Sequence, residues 1–208
     1  MTELFDIYDE NLQHIGVKPR AEVHRDGDWH LVFHCHVIYR DNAGDDWMIL
    51  QKRAPDKDTF PGLLDVSVGG HYEHGETMQD GVREISEELG LRVAFEDLIP
   101  AGKRVSAARG NTFIDREFAD VFFYICDKPL ADYQYQKEEI MGLIALHIRE
   151  GIQLLTGQCD ALDVPATGFA TDMIRIEEAD FIPTLDDYFY KALLLAQRVL
   201  DGETYLRI

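Results

Sequence analysis

The amino-acid sequence predicts a mixed α/β fold, and three stretches indicate it. Residues 31–39 alternate apolar and polar side chains as a half-buried strand does, and residues 117–125 form a strongly apolar core strand. Residues 83–91 instead place apolar side chains at helical spacing and meet a stop signal at Gly90. Strands therefore alternate loosely with helices along the chain, which is typical of an α/β domain.

Composition limits the function classes. The chain has 208 residues, of which 46% are hydrophobic, so it is long enough to bury a real core. Twenty basic and 39 acidic residues give a net charge of −19, which would repel nucleic-acid backbones and anionic membrane surfaces. The same charge would repel a phosphate substrate, so such a substrate would need metal ions and a few local Lys or Arg side chains.

Cysteine usage and hydropathy indicate a cytoplasmic protein. The chain contains 3 cysteines in no paired or CxxC spacing, which favours a reducing compartment over a disulfide framework. The N-terminus has no signal-type apolar run, and we find no apolar run long enough for a transmembrane helix. We therefore expect neither nucleic acid nor membrane as a partner.

The elements follow in order from these patterns. We expect residues 1–208 to form a single domain with an N-terminal β-hairpin at 1–28, a core at 29–156, and a loop with a C-terminal helix at 157–208. Loops beyond about 12–15 residues are often lids or binding loops, so the long loop 157–171 is a candidate substrate lid. The apolar stripe of the last helix and the small hairpin predict core contacts or a homodimer. The expected strands are 4–8, 12–17, 31–39, 47–53, 63–68 and 117–125, with an exposed loop at 106–115 and helices at 77–89, 149–156 and 185–200.

One helix carries most of the chemical information. Thr77 and Asp80 form an N-terminal capping pair, and Glu84, Glu87 and Glu88 then fall on one helical face. Two partly buried charges about 4 Å apart repel by roughly 4 kcal/mol at an effective dielectric of about 20. A hard divalent cation would turn that repulsion into attraction, and Mg²⁺ or Mn²⁺ prefers oxygen ligands. The alternative interpretation is a solvated acidic helix.

This stretch resembles the Nudix box, G-x5-E-x7-R-E-U-x-E-E-x-G-U, where U is a bulky aliphatic residue. Six residues rather than seven separate Glu76 from Arg83, so the position of Glu76 departs from the pattern. The resemblance implies a Nudix-type α/β/α sandwich with a curved mixed sheet over roughly residues 1–150. The fixed positions of the box are occupied here by Gly70, Glu76, Arg83, Glu84, Ile85, Glu87, Glu88, Gly90 and Leu91.

The resemblance also implies an activity, namely Mg²⁺-dependent hydrolysis of a diphosphate linkage in a nucleoside diphosphate derivative or related organic pyrophosphate. Glu84, Glu87 and Glu88 would hold Mg²⁺ (or Mn²⁺), with the backbone carbonyl of Gly70 as a further ligand. One carboxylate or a metal-bound hydroxide would supply the base. Arg83 would orient Glu84 or tie the glycine-rich stretch at residues 70–76, the glycine loop, to the helix.

A second resemblance concerns the substrate. The run Gln51-x-Arg53-x-x-x-Lys57-x-x-Phe60-Pro61-Gly62 is similar to the matching segment of isopentenyl-diphosphate isomerase and its Nudix-hydrolase relatives. In that group the Arg and Lys grip the substrate diphosphate, which implies this role for Arg53 and Lys57. The alternative is ordinary surface charge after an edge strand.

Further polar candidates lie on or beside strands. Glu117 stands at the start of a core strand, where many Nudix enzymes place another acid, and Glu138 and Glu139 precede a strand that resembles a later one of the family. The polar face of the strand at 31–39 carries three histidines that could bind zinc or only border a site: His30, His34 and His36.

Two other functions stay open. Isomerisation of isopentenyl diphosphate uses, in its family, a cysteine beside the glycine loop, whereas this chain has no cysteine between Cys35 and Cys126. A non-catalytic nucleotide-binding module is the second, and the shortened spacing after Glu76 favours it.

Overall fold

A computed structural model describes residues 2–110 and 113–208. These residues form eleven strands and four α-helices. The strands are β1 (Leu4–Tyr8), β2 (His14–Pro19), β3 (Trp29–Arg40), β4 (Asp46–Arg53), β5 (Leu64–Asp65), β6 (Val68–His71), β7 (Ile99–Arg109), β8 (Ile114–Ile125), β9 (Ile140–His147), β10 (Leu162–Thr167) and β11 (Met173–Ile176). The helices are α1 (Arg20–Asp26), α2 (Arg83–Leu89), α3 (Ile148–Leu155) and α4 (Tyr188–Leu200).

Strand β3 is the centre of one mixed sheet. Along its length it pairs in parallel with β8 and antiparallel with β1, β4 and β6, while β7 pairs with β8. The path across the sheet is β11-β10-β9-β4-β3-β1-β2. Because one long strand contacts four others, it connects the N-terminal hairpin, strand β6, which contains the start of the glycine loop, and the β7–β8 pair.

The two faces of β3 bury two separate layers. Phe33 and Val37 face a cluster that contains Ile85 and Leu89 of α2. Val32 points to the opposite face, where the apolar sides of α3 and α4 pack. Burying one such aliphatic or aromatic side chain contributes about 1.5–3 kcal/mol. The predicted α/β/α sandwich with a mixed sheet, an N-terminal hairpin and a C-terminal helix is confirmed.

Two segments expected as irregular are ordered elements. Residues 20–26, which lie within the expected hairpin region 1–28 but in neither of its expected strands, form helix α1, which ends at Gly27 with φ 73°. Only Val23 of this helix is buried, so the sequence shows no apolar periodicity there. The expected loop 106–115 is mostly strand, because β7 and β8 pair as far as Arg109 and Ile114 through backbone hydrogen bonds. Its residues 111–112 lie outside the described residues.

The C-terminal segment also differs from expectation. Residues 157–171, expected as a loop and lid, contribute strand β10, which pairs with β9 and with β11. Val164 and Ala166 are buried there, so the segment extends the sheet and is not a lid. Helix α4 begins at Tyr188 rather than near Leu185, because Asp187 adopts a left-handed conformation with φ 54°. No helix within residues 2–110 and 113–208 has the length and apolar character needed to cross a membrane.

Candidate active site

A cleft of about 730 Å³ opens where α2, the β4–β5 loop, the β7–β8 pair and segment 182–186 meet. It is lined by the site residues predicted from the box, the two predicted diphosphate ligands and Glu117, whereas Glu138, another candidate from the sequence, does not line it. The lining residues from these three sets are Arg53, Lys57, Gly70, Glu76, Arg83, Glu84, Glu87, Glu88 and Glu117.

Local structure orients the acidic helix toward this cleft. The backbone N and Oγ1 of Thr77 both donate to Oδ2 of Asp80, at 2.7 and 2.6 Å, and close a turn before α2. At its other end α2 ends at Gly90, which has φ 64°. Since Ile85 and Leu89 are fully buried beneath it, the helix cannot rotate without exposing them.

Gly70 and Glu84 are in close contact. A Cβ atom placed on Gly70 would overlap the carboxylate group of Glu84, so only glycine permits this approach. The side chain of Glu84 is mostly buried, and burial raises its pKa to about 7 against the opposing charge of Arg83. The glycine loop therefore forms a cradle for a carboxylate that loses most of its hydration.

Arg83 connects the loop and the helix. Its Nε and Nη2 donate to the two carboxylate oxygens of Glu76 at 2.7 and 2.9 Å. Its Nη1 donates to Glu84 at 2.7 Å and to Glu87 at 3.2 Å, and Nη2 also donates to the carbonyl oxygen of His71 at 3.0 Å. The two roles predicted for Arg83, orienting Glu84 and tying the loop, are thus both present in its contacts.

Glu88 lies deeper than the other acids of the helix. Its Oε2 accepts from the backbone N of Gly69 at 3.1 Å and from Nε2 of Gln51 at 3.3 Å. Burial and the neighbouring charge of Glu84 raise the pKa of Glu88 well above its ordinary value. Glu87 differs, because 54% of its side chain is exposed.

The donor set fits a hard divalent cation. Buried carboxylates with raised pKa values beside other carboxylates repel one another, and a bound cation relieves that repulsion. In the described residues the oxygens of Glu84, Glu87 and Glu88 do not come together in one group within 4.8 Å. Arg83 donates to Glu84, and the backbone N of Gly69 donates to Glu88. A bound cation would compete with these two hydrogen bonds for the carboxylate oxygens.

A second set of metal-ligating side chains borders the same cleft. Within the described part of the chain, two groups of three have all their ligand atoms within 4.8 Å of one another. The first joins three histidines from α1, β3 and β6, and the second joins one of them to two acids of β8. The groups are His24, His30 and His71, and His30, Asp115 and Glu117.

Four atoms of this second set are buried without a hydrogen-bond partner among the described residues. They are Nε2 of His24, His30 and His71 and Oδ1 of Asp115. Burial lowers the pKa of all three imidazoles, that of His24 to about 4, so each stays neutral with a free nitrogen lone pair. Buried polar atoms without partners are costly, so a ligand for them is expected. Neutral imidazole nitrogens with carboxylates suit zinc and other first-row transition metals.

The zinc set considered from the alternating strand is wrong. Only His30 belongs to the cluster, whereas Nδ1 of His34 and Nε2 of His36 each lie 3.0 Å from the hydroxyl of Tyr188. His24 lies in the unpredicted helix α1 and His71 in the glycine loop. No sequence spacing indicates that these two side chains meet, because tertiary packing alone brings them together.

Arg53 and Lys57, the two side chains implied as diphosphate ligands, both contact other groups of the protein. Arg53 donates to the carbonyl and hydroxyl of Thr59, both at 3.0 Å, and to Asp65 at 2.8 Å. Lys57 contacts Glu139, which also lines the cleft. Sequence analysis missed two further cations that line the cleft, Arg20 and Arg104.

Comparison with known proteins agrees with this fold. Residues 19–146 match the NUDIX domain, so the chain belongs to that family, as its resemblance predicted. It is a Nudix hydrolase, an enzyme that acts on acid anhydrides in phosphorus-containing compounds.

Particular relatives extend the match. An uncharacterized Nudix hydrolase of Clostridium acetobutylicum is 37% identical over 93% of this chain and 96% of its own length. An isopentenyl-diphosphate Delta-isomerase of Mycolicibacterium vanbaalenii is 31% identical over 66% of this chain and 74% of that protein. The crystal structure of DR0079 from Deinococcus radiodurans has a TM-score of 0.53 at 22% identity, over 74% of this chain and 90% of that one, and shows the fold alone.

Proposed function

We propose that this enzyme hydrolyses a diphosphate linkage in a nucleoside diphosphate derivative or a related organic pyrophosphate, with Mg²⁺ (or Mn²⁺). The observation that carries the proposal is the cradle in which Gly70 admits the buried carboxylate of Glu84 beside Glu88. An acidic cleft in a chain of net charge −19 would repel a diphosphate unless cations neutralise both.

Glu84, Glu87, Glu88 and the backbone of Gly70 would hold the cation. When bound, it supplies charge neutralisation on the phosphoryl oxygens and a water of lowered pKa. Arg83 keeps Glu84 in place by its 2.7 Å hydrogen bond. Glu84 and Glu87 are the candidates to take a proton from the attacking water, because both border the cleft.

The imidazole set with Asp115 and Glu117 would hold a second ion of transition-metal type. Its free nitrogen atoms and its position in the same cleft support this part of the proposal. Two ions in one cleft would bring the positive charge that the substrate needs. The cations of Arg53 and Lys57 would add to it at the far phosphate after exchanging their present partners.

Two observations support hydrolysis over the other functions. Cys35 is fully buried in the apolar layer against α2, so the described cleft offers no thiol for the isomerase chemistry of the relatives so named. The bidentate contact between Arg83 and Glu76 accommodates the shortened spacing, which was the feature that favoured a non-catalytic module.

Assembly and location are proposed on separate grounds. Both terminal hairpins pair into the same sheet, which supports a single domain over residues 1–208. Apolar side chains of the N-terminal hairpin such as Ile15, 59% exposed, support a homodimer through that hairpin, which light scattering would test. Three free cysteines support a reducing, cytoplasmic environment.

A substrate screen tests the activity. Purified protein with Mg²⁺ is incubated with nucleoside diphosphate esters, dinucleoside polyphosphates and alkyl diphosphates, and release of phosphate or of a monophosphate is measured. We expect turnover of at least one class, abolished by a chelator and restored by Mg²⁺. Tight binding of these compounds without turnover in Mg²⁺ or Mn²⁺ would establish the non-catalytic alternative instead. Incubation with isopentenyl diphosphate, followed by NMR, tests isomerisation.

A further inference from the structure

One wall of the cleft comes from outside the family match. Residues 182–186 line the cleft, whereas the family match ends at residue 146. The start of this segment is fixed, because the backbone N of Ile182 donates to the carbonyl oxygen of Leu64 at 3.0 Å. Phe181 beside it is 5% exposed and packs in the apolar layer under α4.

The end of the segment is fixed as well. Arg104 on β7 donates through Nε and Nη2 to the two oxygens of Asp186, at 3.0 and 2.8 Å. The guanidinium carbon of Arg104 also lies 3.9 Å from the ring centroid of Tyr188, which is itself buried against His34 and His36. The segment is therefore held by a charge-assisted pair and by an aromatic anchor.

Between these two anchors stands a leucine that almost nothing covers. Leu185 lines the cleft and is 95% exposed, and Val105 on β7 lines the same cleft and is 57% exposed. Single exposed apolar residues are common on protein surfaces. Here, however, the chain adopts φ 54° at Asp187, two residues after the leucine. A non-glycine residue held in that conformation costs about 1–3 kcal/mol, and such residues are concentrated at ligand sites.

The lining of the cleft combines polar and apolar groups. The carboxylates of α2, the histidine set and the Arg104–Asp186 pair are polar, while Leu185 and Val105 add exposed apolar surface to the same cleft. We propose that Leu185 and Val105 contact the organic group that the substrate carries beyond its diphosphate, and that this group presents an apolar face. The inference rests on the proposed function, because it assumes that the diphosphate binds at α2.

Two kinds of organic group could present such an apolar face next to a diphosphate. One is a nucleobase, and the other is a hydrocarbon chain. In either case, substrate binding would cover the leucine and recover the free energy of removing its apolar surface from water. Arg104 and Asp186 would act as positioning residues, since their paired hydrogen bonds hold the end of the segment that carries Leu185.

Steady-state kinetics of Leu185→Ala test the proposal. The substrates are a nucleoside diphosphate ester, an alkyl diphosphate and methyl diphosphate, which has almost no apolar group. We expect KM to rise about tenfold for whichever of the first two is a substrate, with kcat changed less than twofold and methyl diphosphate unaffected. The identity of the affected substrate then distinguishes a nucleobase from a hydrocarbon chain.

The matched control is Leu194→Ala on α4, a leucine that is 38% exposed and does not line this cleft. Equal changes for all three substrates, equal changes in the control, or no change in KM would overturn the proposal. If the wild-type protein turns over none of the substrates, the proposed function fails, and calorimetric binding of their α,β-methylene analogues to both variants tests Leu185 by itself. Binding of the analogues that is unaffected by Leu185→Ala would then overturn the inference.

Discussion

Arg83 and Glu76 are joined by two parallel hydrogen bonds, Nε to Oε1 at 2.7 Å and Nη2 to Oε2 at 2.9 Å. The contact spans a loop that is one residue shorter than the Nudix box prescribes. A tight helical turn at Asp80–Val82 precedes α2 and takes part of the shortened connection. Glu76 consequently occupies the position of a partner for Arg83, and the pair ties the glycine loop to the acidic helix.

Glu76→Gln should weaken Mg²⁺ binding more than it lowers the free energy of unfolding. The amide keeps one acceptor but loses the charge-assisted bidentate contact, so Arg83 would compete more strongly for Glu84 and Glu87. We expect the Mg²⁺ concentration for half-maximal activity to rise about tenfold, which corresponds to about 1.4 kcal/mol. Glu96→Gln, the same change on an exposed surface, is the control, and an unchanged Mg²⁺ requirement in Glu76→Gln would contradict the assigned role.

Glu87→Gln should remove activity and leave the fold intact. The Glu87 side chain is 54% exposed and its one contact within the described residues is to Arg83 at 3.2 Å, so little stability depends on it. Its charge, in contrast, would be needed for the cation or for the attacking water. We expect kcat to fall more than 100-fold with Tm unchanged, as measured by a phosphate-release assay and thermal melting. A full rate in this variant would disprove the metal assignment of α2.

The pH dependence of stability should change when Glu84 is replaced. Burial raises the pKa of Glu84 to about 7, so the metal-free folded state holds a proton that the unfolded state releases near 4.5. The folded state is therefore favoured by Glu84 below pH 4.5, and that advantage is lost as pH rises to 7. As the pH rises from 4.5 to 8, the free energy of unfolding of Glu84→Gln should increase by about 3 kcal/mol relative to that of wild type.

Denaturant unfolding in a chelator at several pH values measures this difference. The comparison with wild type is needed because His24, His34 and His36 have lowered pKa values and contribute stability with the opposite pH dependence, which cancels in the difference. A difference between the two proteins that does not vary with pH would show that Glu84 titrates normally.

The sequence alone predicted the part of the site whose residues lie close together in the chain. The acids of α2, Arg83 and Gly70 belong to one loop and one helix, so their spacing determines their geometry once the helix is recognised. Ile85 and Leu89 also revealed which face is buried. The sequence thus indicated the helix, the face of it that is buried and the face that carries the carboxylates.

The remaining part of the site depends on contacts between distant segments. His24 lies in a helix with one buried residue, and His71 ends strand β6, so no local period connects them. Strand β10 was missed for another reason. Its alternation of Leu162, Val164 and Ala166 is short, and it becomes a strand because β9 offers a free edge for pairing.

The histidine cluster yields a prediction about metal content. Wild-type protein loaded with Zn²⁺ or Mn²⁺ and then dialysed should retain about one ion that His71→Ala does not retain, because the variant lacks one of three imidazole ligands. The control is His14→Ala, which removes an exposed histidine outside the cluster. Metal analysis by mass spectrometry provides the measurement. Equal retention in all three proteins would leave the buried nitrogen atoms of His24 and His30 without a ligand and refute the assignment.

Arg53 and Lys57 should respond differently to removal, although the family resemblance gives them one role. Arg53 makes three hydrogen bonds through its guanidinium group, to the carbonyl and hydroxyl oxygens of Thr59 and to the carboxylate of Asp65, whereas Lys57 has one contact among the described residues, to Glu139. Arg53→Ala leaves the half-buried carboxylate of Asp65 without its partner, which should cost about 1–3 kcal/mol of unfolding free energy. Lys57→Ala should raise KM with a smaller loss of Tm than Arg53→Ala, since it removes one contact rather than three. Thermal melting and steady-state kinetics of both variants check this. If Arg53→Ala raised KM without any loss of stability, the arginine would be a dedicated diphosphate ligand, and its contacts to the loop would be incidental.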